Sequence, residues 1–159
     1  MSVINPKTST ANISNVASVA DALSEALSAT YRLVMKSHMY HWNVIGPHFL
    51  TLHELTETHY TNMFAAADVI AERIRALGKP AVIDPSGLGR GAEGRDADVS
   101  LPADEMLRDL LSDNERLAAR MRALVGTAEA AEDPVTADLA TTRADFHEKA
   151  AWMLRATAG

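Results

Sequence analysis

Residues 81–100 read AVIDPSGLGRGAEGRDADVS, and this stretch decides the fold. It holds four of the chain's eight glycines and one of its six prolines and shows no strand alternation, so it reads as a long crossover connection with room for a short helical piece. Long amphipathic stretches flank it on both sides. A short loop forces the two helices it joins to run antiparallel, whereas a connection of this length lets them run parallel.

Working outward, the stretch before the crossover predicts a helix from about His48 to Leu77. Phe49, Leu52, Tyr60, Met63, Ala67, Ile70, Ile74 and Leu77 form its apolar stripe, and Gly78-Lys79-Pro80 ends it. An earlier helix spans about Asn15 to Ile45, with Val19, Leu23, Leu27, Val34, Trp42 and Ile45 on one face. Gly46-Pro47 stops it. Beyond the crossover, a third helix starts near Pro102 and runs to about Val125, with Gly126 as its stop. Asp133-Pro134 reads as an N-cap followed by a first-turn proline, opening a fourth helix to about Ala156. No repeat, low-complexity segment or strand pattern interrupts this plan. The expected fold is all-α, a four-helix bundle with a long crossover between the second and third helices.

The bulk numbers agree. At 159 residues the chain suits a single domain, 1–159, with a short polar tail over 1–14. Hydrophobic residues make up 47% and charged residues 23%, an ordinary balance for a globular protein. With no cysteine, disulfides, zinc–cysteine sites and thiol catalysis are excluded, which fits a reducing cytoplasm. No signal peptide is visible, and no apolar run reaches the roughly 20 residues of a membrane span. A net charge of −6 gives no general attraction to nucleic acid.

Chemistry enters on the second helix. Placed on a wheel from Phe49, His53 falls near about 40°, Glu57 near about 80°, Asp68 near about 100° and Glu72 near about 140°. All four border the apolar stripe, and imidazoles beside carboxylates are the mixed nitrogen and oxygen donors that Fe(II) takes. His53 and Glu57 are neighbours on the helix, as are Asp68 and Glu72. The two pairs lie roughly 16 Å apart along the axis, too far for one ion to bridge within one chain. Either two separate sites exist, or each pair is half of a site that another chain completes across a two-fold axis. His41, near the end of the first helix, can join His53 if the helices pack antiparallel across Gly46-Pro47. The Glu-x-x-His signature of a di-iron site in a bundle centre is missing throughout.

Three segments, KSHMYHWNVIGPHF (36–49), LHE (52–54) and DVIAER (68–73), make the chain similar to the Dps family, the DNA-binding proteins from starved cells. The match in spacing covers about Lys36 to Pro80, and the helix order extends it more loosely over nearly the whole chain. The resemblance implies a ferritin-like bundle, a hollow homododecamer, and ferroxidase centres at two-fold interfaces. It assigns His41, His53 and Glu57 from one chain, with Asp68 and Glu72 from its partner, as ligands of an Fe(II)/Fe(III) site, either di-iron or of mixed affinity. It also implies hydrogen peroxide as the favoured oxidant, ferric mineral in the cavity, and Trp42 beside the centre. Glu57 stands where the family commonly has Asp. Acidic residues of the Glu132, Asp133 and Asp138 region would line an iron-entry pore, although helix capping explains Asp133 equally well.

The alternative reading is a nucleoid protein that compacts DNA. Family members that bind DNA often use Lys/Arg-rich tails, and here Lys7 and Arg155 are the cations that the two termini offer. Outside the motif, His38, His48, His59 and His147 read as core or surface residues, and Trp152 as a packing residue.

Overall fold

The computed structural model describes residues 13–85 and 94–158. Four helices follow in order, α1 (Val16–Asn43), α2 (Phe49–Ala76), α3 (Ala103–Ala130) and α4 (Pro134–Ala158), with no strand among the described residues. The tail up to Asn12 and the middle of the crossover, where a short helical piece was expected, lie outside the described residues.

Cross-helix contacts fix the directions. Glu25 of α1 meets Arg120 of α3, while Tyr40 meets Asp109, so α1 and α3 are antiparallel. Arg73 of α2 meets Thr136 of α4, while Asn62 meets Arg143, so α2 and α4 are antiparallel as well. The short links at 44–48 and 131–133 make α1/α2 and α3/α4 antiparallel hairpins. It follows that α2 and α3 run parallel, which only the long crossover permits.

The helix ends are set by local chemistry. Asn15 caps α1, its side chain accepting from the Ser18 amide at 3.4 Å. Gly78, at φ 78°, closes α2: its amide donates to Arg75 at 2.9 Å and the Lys79 amide to Ile74 at 3.2 Å. Asp133 caps α4, accepting from the Thr136 amide at 3.0 Å. Arg73 donates to the same carboxylate at 2.6 Å, which ties α2 to the α3–α4 turn.

One expected end is corrected. The third helix runs through Gly126 to Ala130. A lone glycine inside a helix costs only about 1 kcal/mol relative to alanine, and Leu124, Ala128 and Ala131 are buried on either side of it. Glu132, at φ 59°, takes the left-handed position instead. The Asp133 amide then donates to Ala128 at 2.9 Å and closes the turn.

Leu23, Leu27, Leu52, Met63, Ile70, Ile74, Leu107, Leu110, Met121 and Leu124 fill the core. Each fully buried side chain of this kind contributes about 1.5–3 kcal/mol. Beside them lies a buried polar joint between α1 and α3. Lys36 Nζ, on a residue only 2% exposed, stands 3.1 Å from Asp109 and 2.5 Å from Asp113. These contacts are ionic, without well-aligned hydrogen bonds at Nζ. The Tyr40 hydroxyl donates to Asp109 at 2.5 Å.

Part of the expected apolar stripe is not core. Trp42 is 66% exposed and Ile45 80%, and Phe49 is exposed too. Trp152, expected as a packing residue, is likewise exposed.

Candidate metal centre

The α1–α2 hairpin brings the two predicted histidines together. The His41 and His53 rings stack with centroids 3.7 Å apart and planes 15° from parallel. Their hydrogen bonds are reciprocal: His41 Nδ1 lies 2.8 Å from the His53 carbonyl oxygen, and His53 Nδ1 lies 2.9 Å from that of His41. A carbonyl oxygen can only accept, so in each ring Nδ1 must carry the proton. The neutral ring then keeps its one free lone pair on Nε2. A backbone carbonyl on the far nitrogen is the usual way a metal-binding histidine is oriented and made more basic.

Neighbouring groups hold the pair. Thr56 donates to the Leu52 carbonyl at 2.6 Å and sets its hydroxyl oxygen 3.3 Å from His41 Nδ1. Tyr60 meets the His41 ring edge-on at 5.3 Å. Phe49 stacks on His53 at 5.1 Å. His38 lies 3.9 Å from Tyr60 and stacks with Trp42 at 5.2 Å. Burial, and then the nearby His41, lower the basicity of His38. Thr56 and Tyr60 were not legible as site residues: threonine in a helix carries no ligand signal, and Tyr60 sits on the apolar stripe.

The three carboxylates behave differently. Glu57, Asp68 and Glu72 all lie exposed on α2. Among the described residues none of them forms an ion pair, so surface pairing with Arg75 does not account for Asp68 and Glu72. Nor do they meet the histidines to form a set of ligands. Among the described residues, no three His, Asp or Glu side chains of one chain come close enough to hold one ion. Asp133 is fully buried and occupied as a cap and as the Arg73 partner, so it does not line a pore. Despite the cost of burial, the hydrogen bonds from Arg73 and Thr136 hold its carboxyl below the usual range.

Large apolar side chains surround this region in the open. Met35, Trp42, Ile45, Phe49, Leu50, Phe64 and Val69 are all exposed on the α1–α2 hairpin. So many large apolar side chains left open on one helical hairpin are what a contact site for another molecule would use.

A ferritin-like domain family model matches residues 20–159. A DNA protection during starvation protein from Brevibacillus brevis is 32% identical over 138 residues, 87% of this chain and 93% of that one. This chain belongs to the ferritin-like Dps family. A low temperature-induced protein from a Nostoc species is 36% identical over 139 residues, spanning 86% of this chain and 78% of the relative. The crystal structure of the Vibrio cholerae O1 Dps protein, described as a member of a broad superfamily of ferritin-like diiron-carboxylate proteins, matches with a TM-score of 0.82. It is 28% identical and covers 89% of each chain. No described helix of this Dps-family chain is long and apolar enough to cross a membrane.

Proposed function

We propose that this Dps-family chain is a ferroxidase and iron store. It oxidises Fe(II), with hydrogen peroxide as the favoured oxidant, at sites shared between two chains. It keeps the ferric product inside a hollow homo-oligomer, a dodecamer by family resemblance. His41, His53 and Glu57 of one chain and Asp68 and Glu72 of its partner hold the iron.

The observation that carries this reading is the His41–His53 pair, whose Nδ1 protons are both engaged by backbone carbonyls. That leaves Nε2 donors ready for a cation. Asp68 and Glu72, without ion-pair partners among the described residues, lie roughly 16 Å or more along α2 from His53 and Glu57, too far to serve the same ion within one chain. Glu57, exposed one turn after His53, turns towards the histidine pair to complete that half, since no third side chain closes on the pair in the single chain. The exposed apolar surface of the hairpin supports a second chain packing there, which is what would bring the halves together. Oxygen and nitrogen donors in this mixture suit Fe(II).

The chemistry balances. Each of two Fe(II) ions gives one electron to a single peroxide. Its O–O bond breaks, and with two protons it leaves as two waters. Both electrons are consumed in one place, so no hydroxyl radical escapes. The carboxylates offset the rise in charge from Fe(II) to Fe(III).

The test is the rate of Fe(II) oxidation after peroxide is added to the purified protein, beside an Asp68→Ala/Glu72→Ala variant of unchanged size in solution. The expected result is fast oxidation by the wild type and a fall towards the protein-free rate in the variant. If both proteins match the protein-free rate, the reading is wrong.

A further inference from the structure

A second polar cluster, which the iron reading does not use, lies where α2, α3 and α4 meet. Arg143 and His147 stand one turn apart on α4. His59 and Asn62 approach them from α2, and Asn114 from α3. The three basic side chains gather around the ring of Phe146. The guanidinium carbon is 4.4 Å from its centroid, and the His147 and His59 rings stand nearly edge-on at 5.0 and 5.9 Å. All three basic residues are buried, His147 completely.

Hydrogen-bond accounting leaves groups over. Arg143 Nη1 donates to Asn62 at 2.8 Å, while Nε and Nη2 have no partner. Those two nitrogens form one edge of the guanidinium, the edge that grips an anion with two parallel N–H groups. On α3, the Asn114 amide donates to the Leu110 carbonyl at 2.9 Å, which fixes its oxygen towards His147 Nδ1, also at 2.9 Å. His147 Nε2 is buried and has no partner. Among the described residues no carboxylate pairs with Arg143. A guanidinium stays charged at neutral pH, and a buried charge without a counterion is costly. The charged and titratable groups facing Arg143 and His147 from α2 and α4 are His59 and each other, and α3 contributes the neutral Asn114.

We propose that this cluster binds one small, weakly hydrated monovalent anion, chloride or bromide rather than the strongly hydrated fluoride, held by the Nε and Nη2 edge of Arg143 and by His147 Nε2. His147 takes up a proton as the anion enters, because only a protonated Nε2 can donate. The cluster therefore repels cations and receives anions, and it stands apart from the proposed iron ligands His41, His53, Glu57, Asp68 and Glu72. Anion affinity rises as pH falls.

Sodium bromide tests this directly. Crystals of the full-length protein grown in bromide are expected to show an anomalous-scattering peak within hydrogen-bond distance of Arg143 Nε and Nη2 and of His147 Nε2. A water, a carboxylate of a neighbouring subunit, or no density at that place overturns the proposal. In solution, exchanging sodium fluoride for bromide at constant ionic strength is expected to raise the thermal midpoint by about 2 °C or more, as for any ligand that binds only the folded state. The rise is larger at pH 5 than at pH 7 and absent in Arg143→Gln. Equal wild-type midpoints in the two salts overturn the proposal. The crystallographic result stands without the variant, should Arg143→Gln fail to assemble.

Discussion

His41 and His53 show what residue-level reading can and cannot reach. Their positions were legible, because a histidine late in one helix and another early in the next meet across a short turn. The proton on each Nδ1 was not, because it depends on where the partner's carbonyl falls once the helices pack. His147 was legible only as an ordinary core residue. Its lack of a partner at Nε2 arises from α2, α3 and α4 together. Burial, followed by the charges of Arg143 and His59, pushes its pKa down from 6.5 to about 3. Between those values the unfolded chain binds a proton that the folded chain excludes, so stability rises with pH across this window. It is fully present above about pH 6.5 and lost as pH falls towards about 3. In fluoride buffer, denaturant midpoints measured from pH 7 to pH 4 are expected to fall for the wild type and to fall less steeply for His147→Gln. Parallel curves would show that His147 stays protonated in the folded chain.

At the scale of elements, the long crossover and most helix ends were readable because each has a local cause: Asn15, Gly78 and Asp133-Pro134 act on their own neighbours. Gly126 misled because glycine's helix cost is small beside the burial of the residues around it. Nothing lies within 4 Å of a Cβ built at Gly126, so alanine fits the helix there without strain. Gly126→Ala is expected to raise stability by about 0.5–1 kcal/mol, read from the shift in the denaturant midpoint; a lower midpoint would mean that this position is not interior helix. The Lys36 joint had no local signature, since Asp109 and Asp113 lie far along the chain. Lys36→Met strands Asp109 with only the Tyr40 hydroxyl, while Asp113 keeps Arg116. A loss of about 3 kcal/mol is expected in chemical unfolding. A neutral result would mean that the joint contributes geometry and no stability.

The whole molecule is where sequence reading fell shortest. A helix face patterned for burial looks the same whether its own chain or another chain covers it, so Trp42, Ile45 and Phe49 were read as core although this chain leaves them open. The roughly 16 Å between the His53/Glu57 and Asp68/Glu72 pairs left two readings open from the sequence, two separate sites or halves of one site shared with another chain. The central claim is that one site draws ligands from two chains, and mixed oligomers test it most directly. His53→Ala and Glu72→Ala chains, each inactive alone, are co-expressed in equal amounts and assembled together. In a two-fold pair of one chain of each kind, one of the two sites regains its full ligand set. Random pairing then restores about a quarter of the wild-type rate of peroxide-driven Fe(II) oxidation, since half of the pairs are mixed and each has one intact site. Recovery near that level is the expected result. A mixed oligomer as inactive as either variant alone would contradict a site shared between chains.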